Sequence, residues 1–230
     1  MIFDFKYWYY LGRQGLLIHN LQSNMMRNFS WRLGFIFVIG LLVFAVRGIW
    51  GMNTASLTPI LAAGMWDTYT LARWTSLLGL MLWAGLYLAF HSFGVAFLFH
   101  KVARIPWKAA LVMQAYVLSL LVMEKLLVLV VFAAMGYSLT VSMFSFGPLA
   151  ATFLEHTYWV YFFNQLTVFT ALIIGIQYRY VKSFTTFSPV SILMALILLH
   201  VLAAAFVASF SIMPITDMMG ALVRGGAPIE

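Results

Sequence analysis

The sequence predicts an all-α polytopic membrane protein with five transmembrane helices, preceded by an amphipathic interfacial helix. Three observations carry this. The residues are 64% hydrophobic and only 8% charged, against about 25% charged in a soluble domain. A mean hydropathy of +0.97 leaves more apolar surface than a core of this size can bury, so lipid is the expected solvent. Five runs reach the length of about 17–25 residues that crosses a bilayer: 32–50, 75–99, 109–135, 158–177 and 189–213.

Residues 1–30 precede the first run. Ile18, Leu21, Met25 and Phe29 recur at helical spacing, with Arg13, Gln14, Asn20, Gln22, Asn24 and Arg27 between them. This pattern predicts a cytoplasmic amphipathic helix lying in the interface. Phe3, Phe5, Tyr7, Trp8, Tyr9 and Tyr10 predict an aromatic belt at its start. Trp8, Arg13 and Arg27 are the candidate contacts to lipid or to a partner subunit. The segment is too long and too aromatic for the basic region of a signal peptide, so the first span is expected to be an uncleaved anchor.

The first span, 32–50, is flanked by Trp31 and Trp50 as interface anchors. The second and third are joined by a short basic turn. The fifth opens at Ser188-Pro189, a residue pair suited to an N-cap and a first helical position. Its Ala204/Ala208 and Ala205/Ser209 pairs make small-residue seams for close helix approach. The longer loops, 51–74 and 136–157, are apolar enough to hold short surface helices, and residues 215–230 form a tail. Lys6, Arg13, Arg27, Arg32, Lys101, Arg104, Lys108, Arg179 and Lys182 fall on one side of this arrangement. Only Arg47, Arg73 and Arg224 fall on the other. Basic residues collect on the cytoplasmic side, so the N-terminus is expected to be cytoplasmic and the C-terminus exterior. The net charge of +7 is read as this topology signal and as affinity for anionic lipid, with no nucleic-acid partner.

Glu124 and Lys125 are the only formal charges within 109–135. A charge at bilayer depth costs at least about 2.5–3.5 kcal/mol, so it faces protein or water and often marks function. Neighbouring residues on a helix diverge by about 100°, so each of the two is expected to find its own partner. Gln114, nearly three turns earlier, projects roughly as Glu124 does. Asn164, Gln165 and His200 lie at comparable depth in the fourth and fifth spans and are the candidate partners. Two readings stand: a polar clasp between helices, or a site that handles an ion, a proton or a substrate. No catalytic constellation accompanies the pair. H-E-x-x-H, G-x-S-x-G and phosphate-cradling glycine loops are absent. His91 and His100 are nine residues apart, not the i, i+4 of a helical metal pair, and there is no cysteine. No enzyme activity, cofactor or metal is therefore expected, and the clasp is the favoured reading.

From the second span into the third, His91 is followed by Lys101-Val-Ala-Arg-Ile-Pro-Trp-Lys108 and then Ala110-Leu-Val-Met-Gln-Ala-Tyr-Val117. Further on stands Phe169-Thr-Ala-Leu-Ile-Ile-Gly-Ile-Gln-Tyr-Arg-Tyr-Val181, followed by a last span. Over residues 77–208 this order resembles the Yip-domain family of five-span membrane proteins. It departs from the family where Ala-Arg-Ile-Pro replaces a glycine-bearing turn. The resemblance implies a non-enzymatic protein. The short N-terminal region points to a bacterial plasma-membrane member, similar to accessory subunits of ABC-type exporters. The expected function is thus an accessory or assembly subunit of a transport complex, with ABC transporter permease and ATPase subunits as partners. The alternative is a small permease or channel, acting as a homo-oligomer with Glu124, Lys125, Asn164 and His200 along a polar path.

Overall fold

Helix-forming runs and their stop signals set the element order. The computed structural model describes residues 2–23, 25–52, 54–136 and 141–212. Residues 215–230, expected to form a tail, lie outside the described residues. The chain divides into two compact units. One comprises Met1–Leu139 with Ala171–Leu196, and the other comprises Thr140–Thr170 with Ile197–Glu230. Among the described residues, four helices are long and apolar enough to cross a membrane: Phe29–Ile49, Trp66–Val102, Trp107–Met135 and Pro189–Ile212.

In the first unit, strand β1 (Ile2–Asp4) pairs in parallel with β2 (Met25–Arg27), and Arg27 Nε lies 3.0 Å from Asp4 Oδ1. Between the strands lie helices α1 (Tyr7–Leu11) and α2 (Gln14–Ser23). This differs from the single amphipathic helix expected over the segment. The helical pattern stops at Ser23, because the chain then turns into β2, and Phe29 already belongs to the next helix. The aromatic run is also split. Phe5 and Tyr10 are buried, while Trp8 is 75% exposed. Tyr7 stacks on Tyr116 with ring centroids 4.7 Å apart, and Phe5 meets the same ring edge-on. Tyr116 OH donates to Tyr7 O at 3.1 Å. Gln14 Nε2 donates to Tyr10 O, and Tyr180 OH donates to Gln14 Oε1, both at 3.0 Å. The N-terminal segment is therefore a cap docked on the helix that carries Tyr116. Burial raises the Tyr7 phenol above its ordinary pKa, opposed in part by a hydrogen bond to Ser119, so Tyr7 stays neutral.

Helix α3 (Phe29–Ile49) packs against α5 (Trp66–Ala89) and α7 (Trp107–Met135). Their shared core is Val43, Leu88, Leu118 and Val122. Glycine permits the close approach. A Cβ built on Gly40 would meet Leu88 at 2.9 Å and Val122 at 3.2 Å, and one on Gly48 would meet Leu77 at 2.7 Å. A short helix α4 (Thr58–Ala62) fills the α3–α5 loop, opened by Pro59 in its first turn. Helix α5 starts nine residues before the expected second span. Asp67 sits in its first turn, where a carboxylate opposes the helix dipole favourably, and Trp66 to Leu78 holds no glycine or proline to stop it. A π-helical turn, Phe90–Gly94, carries it without a break into α6 (Val95–Val102). The π turn and α6 pack on α7. Helix α7 opens after Pro106 and ends at Gly136, whose φ of +75° suits a left-handed C-cap.

The second unit holds α8 (Gly147–Phe153), α9 (Thr157–Gln165), the start of α10 (Val168–Phe184) and the end of α11 (Pro189–Ser209). Ala204 and Ala208 are buried, as their small-residue seam implies. The expected fourth span, 158–177, is not one helix. It breaks at Leu166–Thr167, where backbone groups find partners outside the helix. Phe146 N donates to Leu166 O at 3.2 Å, and Val168 N donates to Phe144 O at 3.0 Å. Thr170 Oγ1 donates to Gln165 O at 3.1 Å, and Thr170 N donates to Thr167 Oγ1 at 3.2 Å. Hydropathy is blind to such substitutes for the i→i−4 ladder.

Candidate functional site

The charged residues in the apolar core of the first unit come from two helices, and a third adds a phenol. Helix α7 brings Glu124 and Lys125. Nothing on either side of them breaks the helix, so both are held mid-helix. Glu124 is 5% exposed. Lys125 Nζ lies 3.8 Å from Glu124 Oε1. This corrects the expectation of separate partners. The Cβ directions diverge by about 100°, but the four-carbon lysine stem is long enough to fold back.

Helix α3 brings Arg47 and α5 brings Tyr87. Both lie within electrostatic reach of Glu124. Arg47 sits in the last turn of α3, half-buried, with its guanidinium 5.7 Å from the Phe44 ring. Its Nε is buried and has no hydrogen-bond partner among the described residues. The Tyr87 ring packs on Phe44 at 6.0 Å and on the His91 imidazole at 4.4 Å. His91 is the second residue of the π turn, one turn of helix beyond Tyr87. The cluster therefore sets one carboxylate against two cations, with a phenol and an imidazole alongside.

Such a group binds helices together because its members are worth little apart. A buried carboxylate without counter-charge is strongly unfavourable, and two partly buried cations lose their counter-charge without it. Helices α3, α5 and α7 must stay in register for all of them to be satisfied.

Two neutral polar groups on the same elements are left over. Gln114 is fully buried, and neither its amide nitrogen nor its oxygen has a partner among the described residues. Ser92, in the π turn, is also fully buried, and its hydroxyl has no partner among the described residues. π turns inside α-helices occur frequently at functional sites. Gln114 and Ser92 do not extend the charge cluster by any hydrogen bond among the described residues.

The remaining candidates belong to the second unit. Asn164 Oδ1 accepts from Ser142 N at 2.7 Å and from Ser145 Oγ at 2.9 Å, so its oxygen pins the 142–147 segment against the end of α9. Gln165 Nε2 donates to Tyr161 O at 3.5 Å, within its own helix. His200 is half-buried on α11. Within the first unit, the companions of Glu124 are Lys125, Arg47 and Tyr87. At the cap, Arg13 stacks over the Tyr9 ring at 4.6 Å, and Arg27 is taken by Asp4. Among the described residues no group of three or more His, Asp or Glu side chains is gathered as a metal site would require.

Arg47 was visible in the sequence as a basic residue three positions inside the end of the first span. The distribution of basic residues between the two sides placed it outside the bilayer. A long guanidinium stem reaches inward as readily as outward, and only the counter-charge on α7 decides which. Tyr87 carried no signal beyond lying in an apolar helix, and His91 none that linked it to Glu124.

No family model matches the chain, and no curated protein or solved structure matches it either.

Proposed function

We propose that the chain is a non-enzymatic, membrane-embedded accessory subunit of a transport complex, of the ABC-exporter type that its Yip-like pattern suggests. The observation that carries this reading is the buried Glu124 carboxylate with Lys125 Nζ 3.8 Å away and Arg47 within electrostatic reach. A carboxylate met by cations of its own chain serves to hold helices, so the chain acts as a scaffold and its partners supply the transport chemistry. The docked cap gives the scaffold a face for a partner: Trp8, Tyr9, Leu11 and Leu16 point outward from it. Affinity purification in mild detergent is expected to recover ATPase and permease subunits with the wild-type chain. Changing Trp8 to Ala is expected to deplete them while the chain itself remains folded. Recovery of the wild-type chain alone would sink the proposal.

The proposed topology has five crossings of a bacterial plasma membrane, with the broken α9–α10 segment as the fourth and the cap on the cytoplasmic side. The absence of cysteine allows a clean test. A single cysteine at Gly12 is expected to react with a membrane-impermeant maleimide only after the cells are opened. A single cysteine at Thr152, on α8, is expected to react in intact cells. The reverse pattern would invert the topology.

A further inference from the structure

We propose that the groove between the end of α3 and the first half of α5 binds one membrane phospholipid, with its phosphate on Arg73 and an acyl chain along α5. The groove encloses about 280 Å³ and lies entirely within the first unit. Its lining grades from charged to apolar. Arg73, Ser76, Leu80 and Trp83 all line it and recur at i, i+3, i+7 and i+10, the spacing of one helix face. From Arg73 to Trp83 the helix rises about 15 Å, half of the roughly 30 Å hydrocarbon thickness of a bilayer. A charged head and a chain one leaflet long fit that gradient, and a soluble anion would use only its top.

The head of the groove is held in place. Arg73 Nη2 donates to Ile49 O at 2.7 Å, at the open C-terminal end of α3, and the guanidinium lies 5.9 Å from the Tyr69 ring. A guanidinium has five N–H donors, so this bond leaves others free for phosphate oxygens. The Ser76 hydroxyl, one turn below, also lines the groove. The wall and floor depend on two glycines. Gly48 lets α3 close on Leu77 and Leu80, since a Cβ there would lie 2.7 Å and 2.9 Å from them. Gly79 keeps the floor open, since a Cβ there meets nothing within 4 Å. The flanks of the same helix, Trp74, Leu78 and Leu82, are exposed large apolar side chains, as befits a surface turned to lipid.

The test is native mass spectrometry of the full chain released from detergent in the presence of phosphatidylglycerol. The wild type is expected to retain one lipid. Arg73→Gln and Gly79→Leu are each expected to lower that retention about tenfold, the scale of one charge-assisted hydrogen bond or one blocked chain site. Leu82→Ala, outside the groove, is expected to leave it unchanged. Neither glycerol 3-phosphate nor a diacylglycerol is expected to displace the lipid, because each offers only half of it. Arg73→Gln also removes the hydrogen bond to α3 and can weaken the fold, whereas Gly79→Leu fills open space and leaves Arg73 in place. Wild-type retention in Gly79→Leu would overturn the proposal, and displacement by glycerol 3-phosphate alone would reduce the groove to a plain anion site.

Discussion

Glu124→Leu lowers the unfolding free energy of the chain by about 3–5 kcal/mol, the penalty for removing one partner of a buried ion pair. The change strands Arg47 and Lys125 in the apolar core of the first unit without a carboxylate. The two cations are not equivalent. The Lys125 side chain is 31% exposed, so part of it already lies outside the packed core. Arg47 already has a buried Nε without a partner, so removing Glu124 weighs more on it. The order of damage on replacement by Leu is therefore Glu124, then Arg47, then Lys125. Reversible unfolding in mixed micelles, followed by tryptophan fluorescence, measures it. A Glu124→Leu chain as stable as wild type would return Glu124 to the reading of a homo-oligomeric permease, with its side chain in a watered path.

Tyr116→Ala detaches the N-terminal cap. The Tyr116 ring is 1% exposed, stacks on Tyr7, meets Phe5 edge-on, and holds Tyr7 O through its hydroxyl. Removing a buried aromatic ring costs about 3–5 kcal/mol, and this ring is what joins the cap to α7. Hydrogen exchange is expected to rise across α1 and α2 while the middle of α7 stays protected. Tyr116→Phe keeps the ring and gives up one hydrogen bond, worth about 1 kcal/mol, so its cap stays docked. Unchanged protection of α1 and α2 in Tyr116→Ala would show that Gln14 and Tyr180 suffice to hold the cap.

Hydropathy found the first, third and last long helices to within about three residues, because a long apolar run between aromatic or proline anchors has few other solutions. It failed where backbone partners, not side chains, decide. The 158–177 run is apolar enough to read as one span, yet Phe144 and Phe146 supply the hydrogen bonds that let the helix break at Leu166–Thr167. It also missed the start of α5, where an acidic first turn extends the helix into what reads as a loop. The cap misled for a related reason. Ile18 and Leu21 keep helical spacing, but the chain leaves the helix after Ser23 to pair with β1, a pairing between residues more than twenty apart.

The candidate site was half legible. Glu124 and Lys125 announce themselves as charges in an apolar run. Their companions Arg47 and Tyr87 come from positions roughly 80 and 40 residues earlier in the chain. Such partners follow from how α3, α5 and α7 pack, and Gly40 with Leu88 and Val122 sets that packing. Within the second unit, the Asn164 oxygen accepts from Ser142 and Ser145.

The central claim is that Glu124 and Arg47 act together as a clasp across helices. A double-mutant cycle on unfolding, with Glu124→Leu, Arg47→Leu and the pair combined, tests it most directly. The expected coupling is about 1–3 kcal/mol, with the double variant more stable than the sum of the single losses allows. Additive losses, with coupling near zero, would contradict the clasp.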